Sequence, residues 1–182
     1  LHIIHDKNLG YFGPTTIASG TLPKRVVVAL IPEQAYNGHI NRHRLKFRNF
    51  KVDNIVVRVN STDKPYSGGY RIDYANNAYI EAYYGLFKEL GQVGTDVQIG
   101  PIPWSGFDSG YNIFAFDTSP SHSSSAAPYG KTGTGNCELM IHFNKKAKDN
   151  IVVLVLLEYE RKYTLYQMES GNVRRHLFEN VE

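Results

Sequence analysis

A single cysteine, Cys137, stands in 182 residues. An internal disulfide is therefore impossible, and nothing in the cysteine usage points to an oxidising compartment. Cys137 lies in an apolar run, as a small buried hydrophobe would. The longest apolar run, IVVLVLL (151–157), is too short to span a bilayer. No basic-then-apolar leader opens the chain. It begins at Leu1 rather than Met, as a processed product or a fragment of a longer protein would. Charge of one sign is also scarce. The net charge is +3, from 20 Lys and Arg against 17 Asp and Glu, so binding nucleic acid through overall charge is not expected.

Chemical signatures are equally thin. GKTGTG (130–135) lacks the leading glycine of a phosphate loop and is followed by strand-like rather than helical sequence. His39 and His43 are four apart, but no acidic third ligand stands at a suitable spacing, so a metal is not expected. SHSSS (121–125) has nucleophile residue types in a low-complexity loop, and no nucleophile elbow occurs. Asp117 is the one carboxylate in a distinctive setting. Its expected role is to accept backbone N–H bonds where FAF turns into TSP. The expectation is no catalytic residue, no cofactor and no metal.

What the chain does have is aromatics, 13 Tyr and 9 Phe, which suit pleated surfaces. Strand-like runs dominate. KRVVVALI (24–31) stops at Pro32. LKFRNFKVDNIVVRV (45–59) is too long for one strand and should break near Asp53 and Asn54. GYRIDY (69–74) alternates. CELMIHF (137–143) sets Leu139, Ile141 and Phe143 against Glu138, Met140 and His142. NIVVLVLLEYERKY (150–163) begins fully buried and turns amphipathic. YNIFAF (111–116) places Tyr111, Ile113 and Ala115 on one face and Asn112, Phe114 and Phe116 on the other. Both faces are largely apolar, so a cover is expected on each.

One segment breaks the pattern. In NNAYIEAYYGLFKELG (76–91), Tyr79, Tyr83, Leu86 and Leu90 recur at helical spacing, Asn76 or Asn77 can cap the start, and Gly91 can close the end. Gly85 weakens this helix. The connections 91–110 and 118–136 are long enough to be functional or mobile. The reading is an all-β jelly-roll sandwich of about eight antiparallel strands, with one helix in a crossover and two long loops at one end. It forms a single domain over 1–163, followed by a C-terminal tail or arm over 164–182.

Two surfaces stand out. In NRHRLKFRNFK (41–51), a strand would put Arg42, Arg44, Lys46 and Arg48 on one face, either a solvated edge or a contact surface for a polyanion or subunit. Trp104, Phe107 and Tyr111 are close in sequence. They could pack in the core, mark an interface or make a stacking platform for sugars.

The order of segments over 22–163 resembles the major capsid proteins of Polinton (Maverick) elements and adintoviruses. The likeness is carried by Leu22, Pro23 and Arg25; by the turn Ala35, Tyr36, Asn37 and Gly38; by Phe47 and Phe50; by YIEAYYGLF; and by GYNIFAFDTSP with Tyr111, Phe114, Phe116 and Asp117. CELMIHF and NIVVLVLLEYE resemble the closing strands. The chain departs from that pattern where NRHRLKF replaces an Asn-Pro-Phe-Asn-Phe stretch, and at IGPIPWSG. The loop 119–136 has no counterpart. The resemblance implies the C-terminal jelly roll of a double jelly-roll major capsid protein, a structural and self-assembling component of the virion capsid inside a host cell. Its partners would be copies of itself in a homotrimeric capsomer and other capsid proteins. Independently of the resemblance, the short apolar runs give no expectation of a membrane partner, and the low net charge none of direct nucleic-acid binding. The alternative is a soluble carbohydrate- or ligand-binding jelly-roll module using Trp104.

Overall fold

The computed structural model of the chain describes residues 1–6, 8, 10–93, 102–119, 133–159, 163–169 and 172–178, the last two stretches as backbone. One sheet has the order β1 (His2–His5), β9 (Ile151–Glu158), β3 (Arg25–Pro32), β7 (Ile113–Asp117). The other has the order β2 (Tyr11–Thr21), β8 (Thr134–Phe143), β4 (Val52–Val59), β5 (Thr62–Lys64), with β6 (Tyr70–Arg71) also paired to β4. Every pairing between these strands is antiparallel. Apart from β4, β5 and β6, successive strands alternate between the two sheets. That interleaving of first with ninth and third, and second with eighth and fourth, is a jelly roll.

The β-branched run 26–31 explains why β3 is central. It pairs along its length with β9 and over Arg25–Ala29 with β7. Val26, Val28 and Leu30 are buried on the inner face, beside Val153 and Val155 of β9. The opposing sheet contributes Ile55, Val57 and Val59 from β4, and Leu139, Ile141 and Phe143 from β8. The alternation of CELMIHF is thus the two faces of β8, with Glu138 and Met140 half-buried and His142 exposed. Cys137 is fully buried, and burial pushes its thiol up to about 12.

The long segment 45–59 breaks just before β4, where Phe50 and Lys51 have φ of 44° and 56°. A register irregularity against β8 follows between Val52 and Asn54. Residues 37–51 are turns rather than the expected edge strand, so Arg42, Arg44, Lys46 and Arg48 do not share a strand face. The reason is local. Asn37 ends α1 (Glu33–Tyr36), Gly38 takes a φ of 92°, and successive turn bonds join Arg42 N–H to the His39 carbonyl and Lys46 N–H to the His43 carbonyl.

The expected helix is α2 (Ile80–Glu89). Its end is a Schellman motif. Gly91, with φ 72°, donates to the Lys88 carbonyl and Gln92 to that of Phe87. Its start differs from expectation: Tyr79 is the N-cap residue and no side chain caps it. Asn76 instead bonds Asp73 Oδ2 at 2.7 Å, within the turn that holds Asp73 and Ala78 together. A short α3 (Trp104–Ser109) lies in the same crossover. The two long connections leave β7 from opposite ends of that strand, rather than gathering at one end, because β7 alone separates them. Most of 118–136 lies outside the described residues. In the C-terminal region β10 (Tyr163–Glu169) pairs antiparallel with β11 (Asn172–Phe178) as a separate two-stranded sheet.

Gly85 has a positive role that outweighs its poor helix propensity. A Cβ there would overlap the Tyr70 hydroxyl and lie 2.6 Å from its Cζ. Gly85→Ala should therefore destabilise the fold by about 2 kcal/mol, measured by chemical denaturation, although alanine is the better helix former. At the β4–β5 hairpin the Arg58 Nε donates to Asp63 Oδ1 at 2.8 Å and holds that carboxyl below its ordinary value. A depressed carboxyl stabilises above its unfolded pKa and loses that contribution as pH falls through its folded one. Asp63→Asn should therefore lower stability at neutral pH and flatten the acid limb of a stability–pH curve.

Candidate contact surfaces

The crossover before β7 builds an aromatic layer. Tyr79 stacks on Trp104 with centroids 4.2 Å apart and rings 14° from parallel, and on Phe107 at 5.8 Å. Tyr83 meets Trp104 and Phe107 edge-on and donates its hydroxyl to the Ile102 carbonyl at 2.9 Å. Phe107 is fully buried and meets Phe114 edge-on at 6.1 Å. Trp104 is half-buried with a ring face spent on Tyr79, and Tyr111 is 52% exposed. The three rings that could have formed one platform are thus divided between core, layer and surface. Their spacing of three on α3 puts Trp104 and Phe107 on one side of that helix.

Phe114 and Phe116 are fully buried on the inner face of β7, and Phe116 meets Tyr70 at 5.3 Å. Ala115, on the other face, is also fully buried. The cover includes α2, and it reaches the strand's free edge. Tyr70 donates its hydroxyl to the Ala115 carbonyl at 3.3 Å, and the Asp117 N–H donates to Glu89 Oε2 at 3.0 Å. Arg25 Nε donates to the Glu89 carbonyl at 2.8 Å, tying β3 to the same helix end. These contacts occupy backbone groups that an edge strand would otherwise offer to another chain. Tyr70 and Glu89 were absent from the sequence-level candidates. Glu89 could have been found, because it falls three residues after Leu86 on the buried stripe.

Asp117 ends the strand as an Asx turn. Its Oδ1 accepts from the Ser119 N–H at 2.8 Å and from the Ser119 hydroxyl at 2.6 Å. Phe47 pairs with Tyr111 in an isolated parallel bridge, its N–H donating to the Gly110 carbonyl at 2.8 Å. Asn37 and Gly38 close α1, and a Cβ at Gly38 would sit 2.8 Å from Arg44 Nη2, so the turn seats that guanidinium. Arg42 Nη1 bonds Asp149 Oδ2 at 2.7 Å, whereas Arg44, Lys46 and Arg48 are exposed. Among the described residues no group of three or more His, Cys, Asp or Glu could hold a metal ion, and no helix is long and apolar enough to cross a membrane.

The outer face of the β1-β9-β3-β7 sheet is largely apolar: Ala29, Ile31, Ala115 and Val152 are buried within the chain, and Ile4, Leu154 and Leu156 are left more open beside His2, which pairs with Leu154. Register places Ile4 opposite Val152, Val152 opposite Ile31, Leu154 opposite Ala29 and Leu156 opposite Val27. Leu156 is 68% exposed and Ile4 55%, while the Arg25–Glu158 ion pair, at 2.6 Å, marks one margin. Sequence could not separate these outward residues from the inward ones, because β9 reads as a continuous apolar run.

The fold and these surfaces define an all-β jelly-roll sandwich. No family model matches the chain. No solved structure matches it either. An uncharacterized protein of Caenorhabditis elegans is 28% identical over 106 residues, 58% of this chain and 25% of that protein. The chain thus spans about a quarter of the length of this curated relative.

Asp117→Ala should cost about 2 kcal/mol of stability, because it strips charge-assisted acceptors from Ser119. Asp117→Asn, which keeps an acceptor, should cost less. Urea midpoints of the two variants give the comparison, and equal losses would mean the turn does not depend on the acceptor.

Proposed function

We propose that this chain is a structural capsid protein, the C-terminal jelly roll of a double jelly-roll major capsid protein of the Polinton and adintovirus type. It works by burying area against copies of itself and against other capsid proteins, without catalysis or cofactor, in the virion capsid. The capsomer is a homotrimer. The observation that carries this reading is the largely apolar outer face of the β1-β9-β3-β7 sheet. A sheet whose last neighbour is water carries polar residues at these alternate positions. Here Ile4, Leu154 and Leu156 occupy most of them, with His2 at the β1 edge and the Arg25–Glu158 ion pair at another margin. An apolar centre with a charged margin is how self-association surfaces are built. The order of the segments over 22–163 supports the same reading. So does the way the crossover spends its aromatic rings on packing rather than on a ligand.

The test is particle mass by light scattering and electron microscopy on the native product. The expected outcome is an oligomer, with Ile4→Asp and Leu156→Asp each shifting it towards monomer while the β-sheet circular dichroism stays unchanged. Monomer at every protein and salt concentration would defeat the shell reading. A saturable quench of Trp104 fluorescence by a sugar, in a monomer, would favour the binding-module alternative.

A further inference from the structure

Two connections meet at one end of the sandwich, where β3 and β8 finish. Residues 37–51 join α1 to β4, and residues 144–150 join β8 to β9. They are bonded to each other and to their neighbours. Arg42 pairs with Asp149 at 2.7 Å, the Asn144 N–H donates to the Lys51 carbonyl at 2.8 Å, and Asn150 Nδ2 donates to Glu33 Oε2 at 2.9 Å. These two short stretches hold eight of the chain's 20 Lys and Arg and one of its 17 Asp and Glu. The whole chain is only +3, so the rest of the molecule is net negative. Arg44, Lys46, Arg48, Lys145, Lys146 and Lys148 are all exposed and, among the described residues, none is in an ion pair.

Among these cations stand the two most exposed large apolar side chains of the described residues, Ile40 at 96% and Leu45 at 73%. The turn between them encloses an open depression of ≈ 780 Å³ with Arg42, His43 and Arg44 on its wall. We propose that this end of the sandwich docks on an anionic lipid surface. The Lys and Arg side chains meet the headgroups, and Ile40 and Leu45 enter the acyl boundary. A nucleic acid would use the cations but not the aliphatic tips, and the aromatics of this segment that could stack on bases, Phe47 and Phe50, are half-buried. The expected absence of a membrane partner rests on the lack of a spanning run, and peripheral docking needs none.

The experiment is vesicle co-sedimentation of the 182-residue chain. One vesicle is phosphatidylcholine alone; the other contains about 30% phosphatidylserine, both at about 0.1 M salt, where exposed charges act over about 10 Å. The chain should sediment with the anionic vesicles only. Arg44→Gln and Lys146→Gln should each weaken the partition about fivefold. Ile40→Asp with Leu45→Asp should weaken it about tenfold or more, through lost insertion and added repulsion. All four sites are exposed, and circular dichroism verifies the fold of each variant. Failure to bind anionic vesicles overturns the proposal. Equal binding to a short duplex DNA and to vesicles, unaffected by the Ile40 and Leu45 changes, also overturns it and leaves a general polyanion surface.

Discussion

The structure depends on the burial of two apolar sheet faces against each other. Val26, Val28, Leu30, Val153 and Val155 lie on one side, and Ile55, Val57, Leu139 and Ile141 on the other. Each of these side chains gains the transfer free energy of leaving water, about 1.5–3 kcal/mol when fully buried. That gain is available only if alternate residues of every strand point inward, which constrains register throughout: a slip of one residue would turn each inner face outward. The antiparallel pairings of β3 with β9 and of β4 with β8 hold that register over the full length of β3 and nearly all of β4.

The edge of the first sheet is a second constraint, subordinate to the first. β7 has a strand neighbour on one side only, so its other side would expose ladder groups. β6 and the crossover before β7 solve this with side chains: Tyr70 of β6 on the Ala115 carbonyl and Glu89 of α2 on the Asp117 N–H. Gly85 lets α2 come close enough for Tyr70 to reach. The aromatic layer of Tyr79, Tyr83, Trp104 and Phe107 then keeps α2 and α3 over Phe114. The rings are thereby used as packing, which separates the crossover from the two surfaces left for partners. One is largely apolar, around Ile4 and Leu156; the other is cationic, at the loop end around Ile40.

Much of the fold was legible in the chain. The period-two run at 137–143 named the inner residues of β8, and the helical spacing of Tyr79, Tyr83 and Leu86 named the face of α2. Gly91 marked the helix end because few other residues accept its φ of 72°. Asp117 was readable as a turn acceptor because its partner stands two residues away. The basic segment was misread as a strand. Its alternation of charge carried a period of two, but Gly38 and the bonds within the turns decided its path. The helix start was misplaced because Asp73 competes for Asn76.

The sequence by itself determined what is local: strand faces, the helix and its end, the Asx turn, and the concentration of Lys and Arg in 41–51 and 144–150. Those features depend on neighbours a few residues away, and such contacts leave a period or a spacing in the chain. Only the tertiary structure decided the order of strands in each sheet, the reach of Tyr70 and Glu89 to β7, and the meeting of the two basic connections through Arg42 and Asp149, 107 residues apart. It also decided that Ile4 and Leu156 face outward while Val153 and Val155 face inward. A continuous apolar strand has no preferred side until a second sheet covers one of its faces.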